Sequence, residues 1–206
     1  MTTFDTILSK TLSHEGTYSN RESDRGRETY KGISRKYHPK WPGWKIIDDA
    51  KERIGGIEAL KKGDVTPVLG ADAQEELERA VRNFYKEKFW HRIKGDALSM
   101  IDDEIAFLVF DATVNPTDRT NGAKMLQEAL NELGYKIAVD GVIGPVTLMA
   151  LQGAVDELGG DRVREMFRKI RALHYAREVK RNPRQALFIE GWIKRALFSQ
   201  SPFSRS

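Results

Sequence analysis

At 206 residues the chain is long enough to bury a full hydrophobic core, and 40% hydrophobic with 31% charged residues exclude a disordered or membrane-embedded protein. It has no cysteine, which rules out disulfides, thiolate zinc sites and cysteine nucleophiles. The net charge of +4 is uneven: Asp161 to Arg195 carries eleven Lys/Arg against four Asp/Glu, a basic block suited either to an anionic partner or simply to solvated helix faces.

Phe4, Ile7, Leu8 and Leu12 recur at helical spacing and predict a first helix from Thr3 to His14, with Glu15 at its C-terminal end. Gly16 to Ser34 is polar and lacks helical periodicity, as expected of a loop with a small hairpin. The run His38-Pro39-Lys40-Trp41-Pro42-Gly43-Trp44 breaks any helix, after which Trp44 to Lys62 reads as helical with an interruption at Gly55-Gly56. Leu77, Val81, Phe84 and Tyr85 stripe a helix over Asp72 to Trp90, with Asp72 as its N-cap.

Ser99-x-x-Asp102 has the form of a capping box, and Ile101, Ile105, Leu108 and Ala112 form the core face of a buried central helix ending near Asn115-Pro116. Thr117 to Leu133 is helical and stops at Gly134. A tight turn at Asp140-Gly141 precedes Gly144-Pro145, which opens a helix carrying Leu148, Leu151, Val155 and Leu158. Two final helices, Asp161 to Arg181 and Arg184 to Phe198, are separated by Asn182-Pro183. The expected fold class is mainly α, with one small β element after the first helix.

The segment HEGTYSNRESDRGRETYKGIS places Glu15 at a helix end, Asp24 nine residues later and Thr29 five beyond that. The carbonyl-rich C-terminus of a helix disfavours a carboxylate and so suits a proton donor. An acid of that kind, with a second group that activates water or supports positive charge, is what cleavage of a glycosidic bond requires.

This segment resembles the N-terminal motif of glycoside hydrolase family 108, which reads E-G-G-Y, then D-x-G-G-E-T, then G-I. The matching positions are Glu15, Gly16, Tyr18, Asp24, Gly26, Glu28, Thr29, Gly32 and Ile33, while Thr17 and Arg27 stand where the family has the second Gly of each pair. FDATVNP from Phe110 to Pro116, LQEALNELG, DGVIGPVTLMAL and the closing FIEGWIKR resemble the family's peptidoglycan-binding region. The resemblance implies one α+β lysozyme-like domain over 1–206, with the catalytic motif in 1–95 and a helical peptidoglycan-binding part in 96–198. It implies a muramidase that cleaves the β-1,4 bond between N-acetylmuramic acid and N-acetylglucosamine, with Glu15 as general acid and Asp24 or Thr29 as its partner. A lytic transglycosylase and a non-catalytic wall-binding or secretion-helper protein are the alternatives.

Tyr18 and Tyr30 flank the acid and are candidates to stack on a sugar ring. Asp111 and Asn115 lie one turn apart and are candidates to face the cleft, Asn115 being equally a helix cap. The four histidines are scattered and His14-Glu15 lacks the second His of a zinc helix, so no metal or cofactor is expected. The expected partners are peptidoglycan and, through the basic C-terminal helices, anionic envelope polymers, with no nucleic acid and a monomeric state. Met1 to Asn20 shows no secretory pattern and no long apolar run occurs, so an origin in the host cytoplasm before release to the wall, as for a bacteriophage endolysin, is expected.

Overall fold

A computed structural model describes residues 2–13, 18–20, 28–53, 69–116, 121–198 and 202–203. The chain divides into two compact units, one formed by Leu8–Lys86 and the other by Met1–Ile7 with Glu87–Ser206.

Helix α1 runs Thr3–Leu12 and contributes to both units. Its start is fixed by a local cap, in which the Thr2 hydroxyl donates to Asp5 Oδ2 at 2.7 Å and accepts from the Asp5 N–H at 3.3 Å. The helix closes earlier than its apolar spacing predicts, and His14 and Glu15 lie outside the described residues.

In the Leu8–Lys86 unit the expected hairpin is a three-stranded antiparallel sheet of β1 (Tyr18–Asn20), β2 (Glu28–Tyr30) and β3 (Ile33–Ser34). Lys31 and Gly32 both take positive φ, 43° and 78°, the two-residue turn whose twist suits a tight hairpin. Pairing sets Tyr18 opposite Tyr30 and Tyr30 opposite Ile33, so that these three apolar side chains cluster on one face of the sheet.

That face meets α2 (Gly43–Arg53) and α3 (Ala71–Tyr85) through Trp41, Trp44, Ile47, Leu77, Val81 and Tyr85, all buried. The Trp41 and Trp44 rings meet edge to face at 5.0 Å, and the Trp41 indole N–H donates to the Ala80 carbonyl at 3.2 Å. Gly43 is required between them, since a Cβ there would lie 2.2 Å from the Trp41 ring. The N-cap of α3 is Gly70, not Asp72, which lies inside the first turn. After Tyr85 the chain continues as a π-helical turn, Lys86–Trp90.

In the second unit the expected central helix is two helices, α4 (Gly95–Ile101) and α5 (Asp103–Val114). Asp102 separates them in an extended conformation, accepting from the Ile105 N–H at 2.9 Å and pairing with Arg164. The cap is therefore Asp102, where a box opened by Ser99 was expected. Every residue from Ile105 to Ala112 is buried, so α5 is enclosed on all sides.

It packs against α6 (Gly122–Glu132) and α8 (Gly160–Arg181), against which α7 (Pro145–Leu158) packs in turn, while α9 (Ile189–Phe198) packs on α8. Helix α6 is capped by Asn121, which accepts from the Lys124 N–H at 3.0 Å, and Gly134 follows it with φ of 103°. The last expected helix begins instead as a 3-10 turn, Pro183–Phe188. Trp90 is buried in this unit, 5.7 Å from the Phe110 ring, and its indole donates to Asp96 at 2.9 Å. Among the described residues no helix is long and apolar enough to cross a membrane.

Candidate active site

Strand β2 lies at the centre of the motif-bearing segment, and the alternation of a strand sends its neighbouring side chains to opposite faces. Glu28 and Tyr30 share a face with Tyr18. Thr29 shares the other with Ser19 and Ser34, its partners on either side, which gives a row of three hydroxyls across the sheet. Thr29 is half-buried on this strand.

On the first face Glu28 is the hub of a charge cluster. Its carboxylate pairs with Arg35 at 2.6 Å and with Lys51, and accepts from the Tyr18 hydroxyl at 3.1 Å. Arg35 also forks onto Asp48 at 2.6 and 2.9 Å, and its guanidinium lies 4.5 Å from the Trp44 ring centre. Bonding from Arg35 holds the Asp48 carboxyl below the usual carboxylate range, against a smaller opposing effect of burial. Glu28 thus ties β2 to α2. Nothing in its immediate sequence signals this, because Lys51 lies 23 residues away.

Glu15 and Asp24 lie outside the described residues; the first falls between the end of α1 and the start of β1, the second between β1 and β2. Tyr18 and Tyr30, expected to stack on a sugar, are 7% and 3% exposed. The Tyr30 ring stacks on Trp41 at 6.2 Å, and Lys51 lies 5.8 Å from the Tyr18 ring, so both tyrosines support the sheet from its packed face.

Asp111 also departs from expectation. It is 2% exposed and pairs with Arg171 and Arg195 at 2.7 Å each, inside the second unit. Asn115 caps α5, its backbone N–H donating to the Asp111 carbonyl at 3.0 Å and its amide to the same oxygen at 3.2 Å. These two residues come together, as their spacing predicts, but as a helix end and a buried ion cluster. Of the other histidines, His38 packs against Phe84 at 4.7 Å, His91 lies 3.4 Å from Glu87 and His174 bonds Glu128 at 2.8 Å. His14 is outside the described residues.

The glycosyl hydrolase 108 family model matches residues 8–116, over half of the chain. The chain belongs to glycosyl hydrolase family 108. A second model, described as a predicted peptidoglycan domain, matches residues 121–197. This family 108 member is therefore a glycoside hydrolase that acts on peptidoglycan, with a wall-binding region following the hydrolase segment.

Among solved structures it is similar to SagA of Brucella abortus, with a TM-score of 0.56 and 21% identity over 94% of this chain and 89% of that one. At this identity the likeness concerns the fold alone. No curated protein matches the chain.

Within the peptidoglycan domain of the enzyme, the Asp140-Gly141 turn is built around Gln127, which is 1% exposed. The two N–H donors of the Gln127 amide are shared among Asp140 at 2.8 Å, the Val142 carbonyl at 3.1 Å and the Thr147 hydroxyl at 3.3 Å, and its oxygen accepts from the Gly141 N–H at 2.8 Å. A fully bonded buried amide of this kind fixes the turn rigidly. Bonding from Gln127 comes first among the causes that hold the Asp140 carboxyl below its usual range. Gln127 was not singled out by sequence, since a glutamine on an apolar helix face carries no signal of its own.

Proposed function

We propose that the enzyme hydrolyses the β-1,4 bond between N-acetylmuramic acid and N-acetylglucosamine, with Glu15 protonating the leaving oxygen. Asp24 or Thr29 orients the attacking water or supports the positive charge that develops on the sugar ring. The observation that carries this reading is the family match over 8–116, which includes the whole Glu15 to Ile33 segment. The setting of Thr29 in a half-buried hydroxyl row agrees with it, because a stiff strand can hold a water at low entropic cost. In balance, the proton of Glu15 goes to the leaving oxygen, water adds across the cleaved bond, and the proton it releases restores the acid.

Digestion of purified peptidoglycan by wild type and Glu15→Gln tests the proposal. The variant keeps the shape but not the proton, and turnover falls by at least about a hundredfold. Near-normal turnover by Glu15→Gln would sink the assignment. Mass spectrometry of the products separates the two chemistries, since a lytic transglycosylase leaves an anhydro end one water lighter than the reducing end of hydrolysis.

We further propose that the basic block over Asp161 to Arg195 contributes to docking on anionic envelope polymers. Much of that charge is already spent internally, Arg171 and Arg195 on Asp111, Lys194 on Glu190 and Lys169 on Glu165. The expected effect is accordingly modest: wall clearing slows as salt rises from low values toward about 0.15 M, where the screening length is about 8 Å. A clearing rate independent of salt removes this role.

A further inference from the structure

The peptidoglycan domain has a groove of about 420 Å³ between α6 and α8, within the range of about 300–1,000 Å³ usual for ligand sites. Its residues come from one face of each helix. Glu128 and Glu132 lie one turn apart on α6, while Met166, Ile170, Leu173 and Arg177 follow at helical spacing on α8.

The charges divide into committed and available ones. Glu128 is held by His174 at 2.8 Å, Asn131 spends both ends of its amide on Ile137 at 2.8 and 2.9 Å, and Lys169 is tied to Glu165 at 2.7 Å. Glu132 is exposed, and the Arg177 guanidinium, 61% exposed, approaches Glu128 only to 4.0 Å. Leu173 stands 51% exposed beside them. The groove therefore offers one carboxylate, one guanidinium and an uncovered apolar surface.

Peptidoglycan has two recognisable parts. Its glycan is a chain of acetylated sugars whose lactyl carboxyls are taken up in the amide links to the stem; an aromatic platform is the usual partner of such sugars, and among the described residues no aromatic ring lines this groove. Its peptide stem is short, bears carboxylates and an amine, and carries small alkyl side chains. We infer that the groove between α6 and α8 binds the peptide stem, with Arg177 taking a carboxylate, Glu132 the amine and Leu173 the alkyl groups. The inference rests on the reading of this region as wall-binding and adds which part of the wall it reads.

Calorimetry on the full-length protein tests it with three probes: a synthetic stem tetrapeptide with a diamino acid at its third position, peptide-free glycan chains, and whole sacculi in a pull-down. The stem peptide binds saturably, and Glu132→Lys and Arg177→Glu each weaken it at least about tenfold, as expected for a lost charge-assisted contact. Both side chains are exposed, so both variants keep the parent's thermal midpoint. Binding of sacculi without binding of the stem peptide overturns the inference and leaves the wall-binding reading intact. Binding of the glycan in place of the peptide, or of the peptide equally by both variants, also overturns it. Failure to bind sacculi at all removes both readings.

Discussion

Replacing Asp111 by Ala leaves Arg171, which is fully buried, with an uncompensated charge. Breaking a buried pair in this way destabilises by about 3–5 kcal/mol, far more than the loss of an exposed bridge such as Lys194 to Glu190. Urea denaturation of Asp111→Ala measures the difference, and a change under about 1 kcal/mol would contradict it. Burial alone would raise the Asp111 carboxyl, but the charge of Arg171 and the bonding of Arg195 outweigh it and hold the group below the usual carboxylate range. The folded state thus binds this proton less readily than the unfolded chain, so its contribution is complete above the ordinary Asp value of about 3.9 and is lost as pH falls below it. Asp48 shifts in the same direction through Arg35. The stability of wild type therefore declines below about pH 4, and Asp111→Ala flattens part of that decline.

The entry of α6 against α5 depends on the absence of a side chain. A Cβ on Gly122 would lie 2.1 Å from the Val109 carbonyl oxygen and 2.7 Å from the Thr113 hydroxyl, which itself accepts from the Gly122 N–H at 3.1 Å. Backbone cannot step aside as a flexible side chain can, so Gly122→Ala lowers stability by about 1–3 kcal/mol or more. Gly70→Ala, with nothing within 4 Å of its Cβ, stays near wild type in the same thermal melt. A melt of Gly122→Ala that overlays wild type would refute the close packing.

Elements of this kind were legible in sequence as far as their signals are local. The stripe through Leu77 and Val81, the Gly144-Pro145 start of α7 and the Gly134 stop after α6 all follow from spacing and turn chemistry. The break at Asp102 was not, because Arg164, which pairs with its carboxylate, lies 62 residues along. The site divides in the same way. Glu15, Asp24 and Thr29 stand out through motif order, whereas the roles of Glu28 and Asp111 depend on partners up to 84 residues distant that only folding brings near.

The two family matches meet between residues 116 and 121, yet the compact units divide at Lys86 and Glu87. Helix α5 therefore belongs by sequence to the hydrolase match and by packing to the unit that contains α6, α8 and α9. A chain ended after Pro116 exposes the apolar surface of α5 together with Asp111. The 1–116 fragment keeps the Leu8–Lys86 unit whole but cuts the other, so it should melt below the full chain by circular dichroism, and a fragment with wild-type thermal behaviour would show that the second match is separable.

The four tryptophans divide evenly between the units, Trp41 and Trp44 in one and Trp90 and Trp192 in the other. The Trp41 and Trp44 rings stand 5.0 Å apart at 84°, close enough for their near-ultraviolet transitions to couple. Trp90 sits in an aromatic nest with Phe4 and Phe110, and Trp192 stacks on Tyr175 at 5.4 Å. Each half of the enzyme thus carries its own intrinsic chromophore, and phenylalanine replacements in one half leave an emission signal that reports the other, without any attached dye.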